Sequence, residues 1–265
     1  MIKLSLQQQV RIILITAEMY FRQAATDLFV IFAVIIQPMI IALLALYMLR
    51  GTDNGEAIFV VVGSSLTGLW SGVLFMGGNS ITQERWTGTL EHIVAVPVPL
   101  VLITFGKNLA NVVQSLLSMA VAYALAMLLF GYSLQITQPV LFVISLLFTV
   151  FSFVSFGLLL APIFMVNPSI QNLQNGLEFP IYILAGFMFP VALLPNWTTP
   201  FSYLLAPYWA ARALHATSSG NAAFGEVALS WGMMLLWGAV YLVISSVLFR
   251  VMMRKARIDA TLDMQ

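Results

Sequence analysis

Cysteine is absent from the 265 residues, and histidine occurs only twice. Without cysteine the chain can form no disulfide, no thiolate metal site and no cysteine nucleophile. The histidines, His92 and His215, stand far apart in the sequence and are poor material for a metal cage. We therefore expect no bound metal and no cysteine-based catalysis.

Charge is also scarce, at 8% of residues against roughly 25% in a soluble globular domain. Hydrophobic residues make up 61% of the chain, and the mean hydropathy is +0.97. Residues 57–83 carry no charged side chain, and after Lys107 the next one is Glu178. A helix of about 20 apolar residues crosses the hydrocarbon core and satisfies its own backbone polar groups. These long uncharged runs therefore indicate a polytopic membrane protein.

The uncharged runs predict an all-α membrane protein, a single domain over residues 1–265 with six transmembrane helices. We expect the spans near 28–49, 57–81, 105–130, 139–165, 170–189 and 227–250. An even number of spans puts both termini on one side, and every basic residue except Arg50 and Arg212 falls on that side. By the positive-inside rule both termini are cytoplasmic. The net charge of +1 then reflects topology and gives no indication of nucleic-acid binding.

Residues 1–25 are predicted to hold an amphipathic helix that lies on the membrane, because Arg11, Glu18 and Arg22 share one helical face. The other face is apolar and consists of Val10, Ile13, Ala17, Tyr20 and Ala24. The alternative is a soluble helix packed on nothing.

The region 187–217 is apolar but too interrupted for a straight span. Prolines recur just before it and through it: Pro180, Pro190, Pro195, Pro200 and Pro207. Each proline removes a backbone hydrogen bond, and irregular backbone at membrane depth is tolerated only inside protein or beside a cavity. We expect an outer re-entrant hairpin of short helices after the fifth span.

One charged stretch interrupts the apolar sequence. It reads Glu84-Arg85-Trp86-Thr87-Gly88-Thr89-Leu90-Glu91, and we call residues 82–92 the charged segment. Two acids, a large aromatic and a glycine that lets the backbone turn suit a docking element for a cytoplasmic partner. An ordinary charged loop that obeys the topology rules is the alternative.

The charged segment and the following Ala95-Val96-Pro97-Val98 resemble the Glu-Arg-x-x-Gly-Thr-Leu-Glu…Pro-Val signature of the type-2 ATP-binding-cassette permease family. A second resemblance runs from Glu178-Phe179-Pro180 to Arg212, around the family's outer hairpin. Its residues are Gly186, Pro190, Pro195, Trp197, Pro207 and Arg212. The chain departs from the family pattern at Trp86, where an acid is common, and at Ala206, which replaces an asparagine.

The family resemblance implies that residues of the charged segment contact an ATPase subunit. They are Glu84, Arg85, Trp86, Gly88, Thr89, Leu90 and Glu91. It also implies a second permease chain, identical or related, whereas ATP and magnesium would bind to the ATPase. A phosphate-binding loop needs a lysine after a glycine-rich stretch, and none of Lys3, Lys107 and Lys255 has that context. The ATPase is therefore expected on a separate chain.

A polar stripe at the start of the fifth predicted span consists of Gln171, Asn172, Asn175 and Glu178. It is expected to line the transport path or the dimer seam, with helix packing as the alternative. The stripe Asn108, Asn111, Ser115 and Ser118 on the third span favours helix packing over a substrate path.

We therefore expect an exporter of an amphipathic small molecule, lipid or peptide in the inner (plasma) membrane of a prokaryotic cell. One alternative is an ion-coupled secondary transporter that uses Glu178 as its coupling carboxylate. A remote alternative is an intramembrane serine protease, in which a serine of Gly63-Ser64-Ser65 would pair with His215.

Overall fold

The structure is a computed structural model that describes residues 5–32, 36–48, 54–96, 98–131, 135–166, 174–220 and 222–258. These residues form helices, turns and short connections, and contain no strand. The predicted all-α class is confirmed for the part of the chain so described.

The helices follow one another with short connections. They are α1 (Leu6–Ala24), α2 (Leu28–Ile31), α3 (Gln37–Met48), α4 (Asn54–Ser71), α5 (Thr82–Trp86), α6 (Leu90–Ala95), α7 (Leu100–Phe130), α8 (Pro139–Val166), α9 (Gln174–Ala185), α10 (Thr199–Tyr203), α11 (Ala206–Ser219) and α12 (Phe224–Ile258). A six-residue π-helix, Gly72–Gly77, continues α4, and two 3₁₀ turns, Val191–Leu193 and Asn196–Thr198, precede α10.

Four stretches of the described helices are long and apolar enough to cross a membrane. They are Ala57–Gly77, Leu100–Leu129, Pro139–Val166 and Phe224–Met252. Their positions confirm the second, third, fourth and sixth predicted spans. Each obeys the ~20-residue requirement of the hydrocarbon core.

The other two predicted spans fall on shorter helices. The first covers α2 and α3, with residues 33–35 outside the described part. The fifth was expected over 170–189, but its beginning lies outside the described residues and α9 ends at Ala185. It ends there because Gly186 has a φ of +69°, a left-handed conformation that glycine adopts without strain. The count of six spans stays a prediction.

The helix α4 forms the centre of the bundle, since almost every residue from Ala57 to Gly77 is buried. Large side chains pack at this centre. Trp70 of α4 meets Phe153 of α8 edge to face, with the ring centroids 6.2 Å apart. The helices α7, α8 and α11 enclose this core, and α12 packs along α8 and α11. Burial of apolar surface is not the main driving force between helices in lipid, so close packing of this kind holds the bundle together.

The bundle has two ends. At one end α5 and α6 meet the start of α7 and the last turns of α8 and α12, through a cluster of Ile81, Leu90, Leu100, Ala161, Phe249 and Met252. We call this the charged end. At the opposite end the amide of Thr137 donates to the carbonyl of Ser218 at 3.3 Å, and His215 stacks on Phe59 with ring centroids 3.7 Å apart.

The helix α1 is capped by Ser5, and its predicted polar face carries an exposed Glu18–Arg22 ion pair of 2.7 Å. It packs along α7 at the charged end, where Tyr20 and Ala24 are buried. The alternative of a helix packed on nothing is therefore wrong. The contact is backbone-close, since a Cβ at Gly106 of α7 would lie 2.7 Å from the carbonyl oxygen of Ile13.

Candidate functional site

The charged segment forms two short helices joined by a tight turn. The helix α5 ends at Trp86, Gly88 takes a φ of +71°, and α6 begins at Leu90. The amide of Thr89 donates to the carbonyl of Glu84 at 2.9 Å, which closes the turn. The residues at its tip are exposed, and the side chain of Trp86 is 70% exposed.

Apolar side chains on the buried side of the turn pack it against the bundle. Leu90 is 2% exposed and packs with Ile81 and Leu100. Phe249 and Met252 of α12 complete the cluster. The exposed tip is thus held on a buried base, the arrangement that an aromatic side chain needs to act as a preorganised contact.

Glu84 faces into the protein and forms an ion pair with Lys107 of α7. Partial burial alone would raise the pKa of Glu84, but hydrogen bonds from Lys107 and Thr89 and the ammonium charge outweigh it and lower the pKa. The Nζ of Lys107 also donates to the carbonyl of Ser80 at 2.9 Å and lies 5.3 Å from the centroid of the Tyr20 ring.

Sequence reasoning missed Lys107 as a partner of this site. The sequence did hold a signal, because a buried cation within an apolar run needs an anion as partner. The two acids that precede Lys107 most closely in the sequence are Glu91 and Glu84. Of the other predicted contact residues, Thr89 is exposed and Leu90 is buried, whereas the side chain of Glu91 lies outside the described part.

A second polar cluster surrounds Glu178 on α9, which is 5% exposed. Its Oε1 accepts hydrogen bonds from Ser71 Oγ at 2.6 Å and from the Tyr182 hydroxyl at 2.5 Å. One turn earlier, Gln174 exchanges hydrogen bonds of 3.3 and 3.2 Å with Asn79. The carboxylate is therefore bound between α9 and the central helix of its own chain.

The π-helix contributes directly to this contact. The amide of Gly78 donates to the carbonyl of Val73 at 2.9 Å, the i to i−5 bond of a π-helix. The carbonyl of Leu74 accepts from Gln174 Nε2 at 3.1 Å. Of the predicted stripe, Gln171, Asn172 and the side chain of Asn175 lie outside the described residues, so its role as path or seam stays a prediction.

The predicted stripe on α7 is buried along its whole length, from Asn108 to Ser118. Asn108 sits between Gly77 and Gly157, and Ser115 donates to the carbonyl of Gly68 at 3.4 Å. Close approach of three helices at small residues supports the packing interpretation.

The residues expected in the outer hairpin lie in the short elements between α9 and α12. Pro190 and Pro195 precede the two 3₁₀ turns, and Pro207 is at the start of α11. Trp197 is 70% exposed. The guanidinium of Arg212 lies 3.7 Å from the carboxylate of Glu226 in α12, and its central carbon lies 5.8 Å from the centroid of the Trp209 ring. These contacts lie near the opposite end of the bundle, and the outer re-entrant hairpin stays a prediction.

The serine–histidine pair of the protease alternative does not assemble. The hydroxyls of Ser64 and Ser65 both donate to the carbonyl of Val61, at 3.0 and 2.6 Å. His215 Nε2 instead lies 3.0 Å from the carbonyl of Phe187. A nucleophile and its base must lie within hydrogen-bond reach, and these do not.

The fold defines a helical integral membrane domain with a charged segment at one end of its bundle. The sequence profile of the ABC-2 type transporter family matches residues 12–218, and the chain belongs to that family. Members of this family are permeases of ATP-binding-cassette transporters.

A relative in Dictyostelium discoideum is ABC transporter G family member 20, which is 26% identical over 175 residues. The aligned region covers 65% of this chain and 22% of the relative. The chain therefore spans only about a fifth of the length of that relative.

Proposed function

We propose that the chain is the membrane-spanning permease subunit of an ATP-driven exporter, coupled to a separate ATPase through the charged segment. Membership of the ABC-2 type transporter family supports the class. The observation that carries the coupling is the exposed Trp86 tip on a buried base of Leu90 and the Glu84–Lys107 ion pair. When a partner binds this tip and moves, it displaces the charged segment, which packs against α7 and α12.

In this proposal the chain crosses a plasma membrane six times, with α2–α3 and α9 as the two short spans. The charged end and both termini face the cytoplasm, and 187–217 forms an outer re-entrant hairpin. Two permease chains enclose a path for an amphipathic small molecule, lipid or peptide. ATP and magnesium bind to the ATPase chains, whose closure switches the path between inward- and outward-facing states.

An ion-coupled carrier would use Glu178 as its coupling carboxylate. That group is engaged by Ser71 and Tyr182 within one chain, and family membership favours an ATP-driven machine. We therefore propose no gradient-driven mechanism.

The test is photocrosslinking in the native cell. A benzophenone amino acid replaces Trp86 in one variant and Trp197 in the other, which are matched because both side chains are 70% exposed. We expect the variant at 86 to capture an ATP-binding-cassette ATPase, identified by mass spectrometry, and the variant at 197 to capture none. Capture of the ATPase equally from both positions, or from neither, contradicts the proposal.

A further inference from the structure

One face of α12 is turned away from the bundle. Its valines recur at helical spacing and are well exposed, Val243 at 64%, Val247 at 53% and Val251 at 50%. The opposite face carries Phe249 and Met252, which pack with the base of the charged segment. An exposed apolar stripe on a helix of spanning length is a surface that faces lipid.

Two arginines stand on the same face, where the apolar span ends. The span stops at Met252, and Arg250 and Arg254 lie two residues before and two residues after it, both exposed. At about 100° per residue, their directions from the helix axis lie within about 60° of those of Val243 and Val247. Neither guanidinium forms an ion pair with a residue that the structure describes. Two permanent positive charges thus end the apolar stripe.

We propose that this face of α12 binds an anionic phospholipid, and we call it the arginine edge. It consists of Val243, Val247, Arg250, Val251 and Arg254. The headgroup phosphate lies between the two guanidinium groups, and an acyl chain follows the valines toward the middle of the bilayer. The inference goes beyond the proposed function and does not depend on an ATPase.

The spacing of Arg250 and Arg254 suits a single phosphate. They are separated by about 6 Å along the axis, and side chains four residues apart are neighbours on a helix surface. Guanidinium groups bind phosphate oxygens through paired N–H donors, while their apolar stems lie along hydrophobic neighbours and the charges reach the headgroups. A zwitterionic lipid carries its own cation beside the phosphate. The two arginines therefore favour a lipid of net negative charge.

The apolar part of the arginine edge matches one leaflet in length. From Val243 to Arg254 the helix rises about 16 Å, against about 15 Å for half of the hydrocarbon core. One lipid can therefore contact the valines and both arginines at the same time. On its packed side α12 is bonded to α8, where Ser245 Oγ donates to the carbonyl of Leu158 at 2.9 Å. The edge is thus presented to lipid by a helix that is held on the bundle.

The experiment measures lipid binding at the arginine edge with a fluorescent probe. The chain has no cysteine, so Val247→Cys can be labelled with bimane at a single site. The full chain is reconstituted in mixtures of phosphatidylcholine and phosphatidylglycerol, in which one lipid at a time has brominated acyl chains. Bromine quenches the probe on contact and so reports the relative affinity of the two lipids. We expect phosphatidylglycerol to bind about tenfold more tightly, equivalent to about 1.4 kcal/mol.

Matched variants test whether the two arginines cause this preference. Arg250→Gln with Arg254→Gln should reduce it to about twofold or less, whereas lysine at both positions should keep more of it because the charges remain. Arg11→Gln with Arg22→Gln removes the same charge from exposed positions of α1 and should leave the preference unchanged. A control probe at Leu128→Cys, 81% exposed in the last turn of α7, should detect a preference of about twofold at most.

Equal affinity of the two lipids at position 247, or a preference that survives Arg250→Gln with Arg254→Gln, would overturn the proposal. So would a second copy of the chain seated on this face. Oxidation of unlabelled Val247→Cys would reveal that copy as a disulfide-linked dimer that forms faster than with Leu128→Cys. No ATPase is present in these measurements, so their failure leaves the proposed coupling untouched, and crosslinking at position 86 tests that coupling separately.

Discussion

Substitution of Gly157 by alanine should destabilise the fold at the contact of the π-helix, α7 and α8. A Cβ at Gly157 would collide with Asn108 Oδ1 and lie 2.9 Å from its Cγ. The side-chain amide of Asn108 has no room to move away. Gly77 lies close to the same oxygen on its other side, and Asn108 Nδ2 donates a hydrogen bond to the Thr104 carbonyl at 3.0 Å. The new methyl must therefore force the helices apart.

The expected magnitude follows from two opposing effects. Overpacking a close contact costs about 1–3 kcal/mol, and replacing glycine by alanine inside a helix returns about 0.5–1 kcal/mol. The net loss is about 0–2.5 kcal/mol, which corresponds at most to a fall of roughly 5–10 °C in the melting temperature of a domain of this size.

The assay is thermal unfolding of the purified chain in one detergent at one scan rate, since membrane proteins often unfold irreversibly. The matched control is Gly232→Ala in α12, where a Cβ would meet nothing within 4 Å, and it should leave the melting temperature unchanged or slightly raised. Adding Asn108→Ala to Gly157→Ala should remove the collision, so the two effects should not add. A Gly157→Ala variant as stable as Gly232→Ala, or strict additivity, would refute the reasoning.

Three further outcomes are expected. Trp86→Ala should weaken binding of the ATPase about 30-fold, as for loss of an interface anchor worth about 2 kcal/mol, whereas Trp197→Ala should not; binding is measured by titration in nanodiscs. Glu178→Leu, which leaves the hydroxyls of Ser71 and Tyr182 without their acceptor, should lower the melting temperature more than Glu178→Gln; equal values would contradict the hydrogen bonds. The parent should have a higher melting temperature than Glu84→Gln at neutral pH. The difference should vanish as pH falls through the pKa of Glu84, which the ion pair holds below its ordinary value of about 4.3. A difference that persists in acid would exclude the ion pair as its source.

The long spans could be predicted from hydropathy because an uncharged run of sufficient length has few structures open to it in lipid. The boundary at Ala185 was missed because a left-handed glycine ends a helix without any change in hydropathy. The short helices α3 and α9 carry the same ambiguity, since a helix of 12 residues fits a buried helix as well as a tilted part of a span.

The partners inside the site were less accessible to sequence reasoning. Tyr182 lies one helical turn after Glu178, so the helical period could have placed both on one face. Ser71 could not be found in this way, because the register between two helices more than a hundred positions apart depends on how they pack. Lys107 could have been paired with Glu84 on electrostatic grounds alone.

The π-helix at Gly72–Gly77 has a consequence for the tolerance of the chain to changes in length. Each α-helical residue turns the chain by about 100°, and a π turn holds one residue more than an α turn needs. Deletion of a single residue here could be absorbed by conversion to α-helix, with continuous backbone bonding. Because the π turn already accommodates its extra residue within one turn, Glu84 and the residues after it would keep their orientation about the helix axis and would still face Lys107. A one-residue deletion in this turn would therefore preserve both insertion in the membrane and the direction of the charged segment, whereas the same deletion within the regular helix α4 would turn the segment by about 100°.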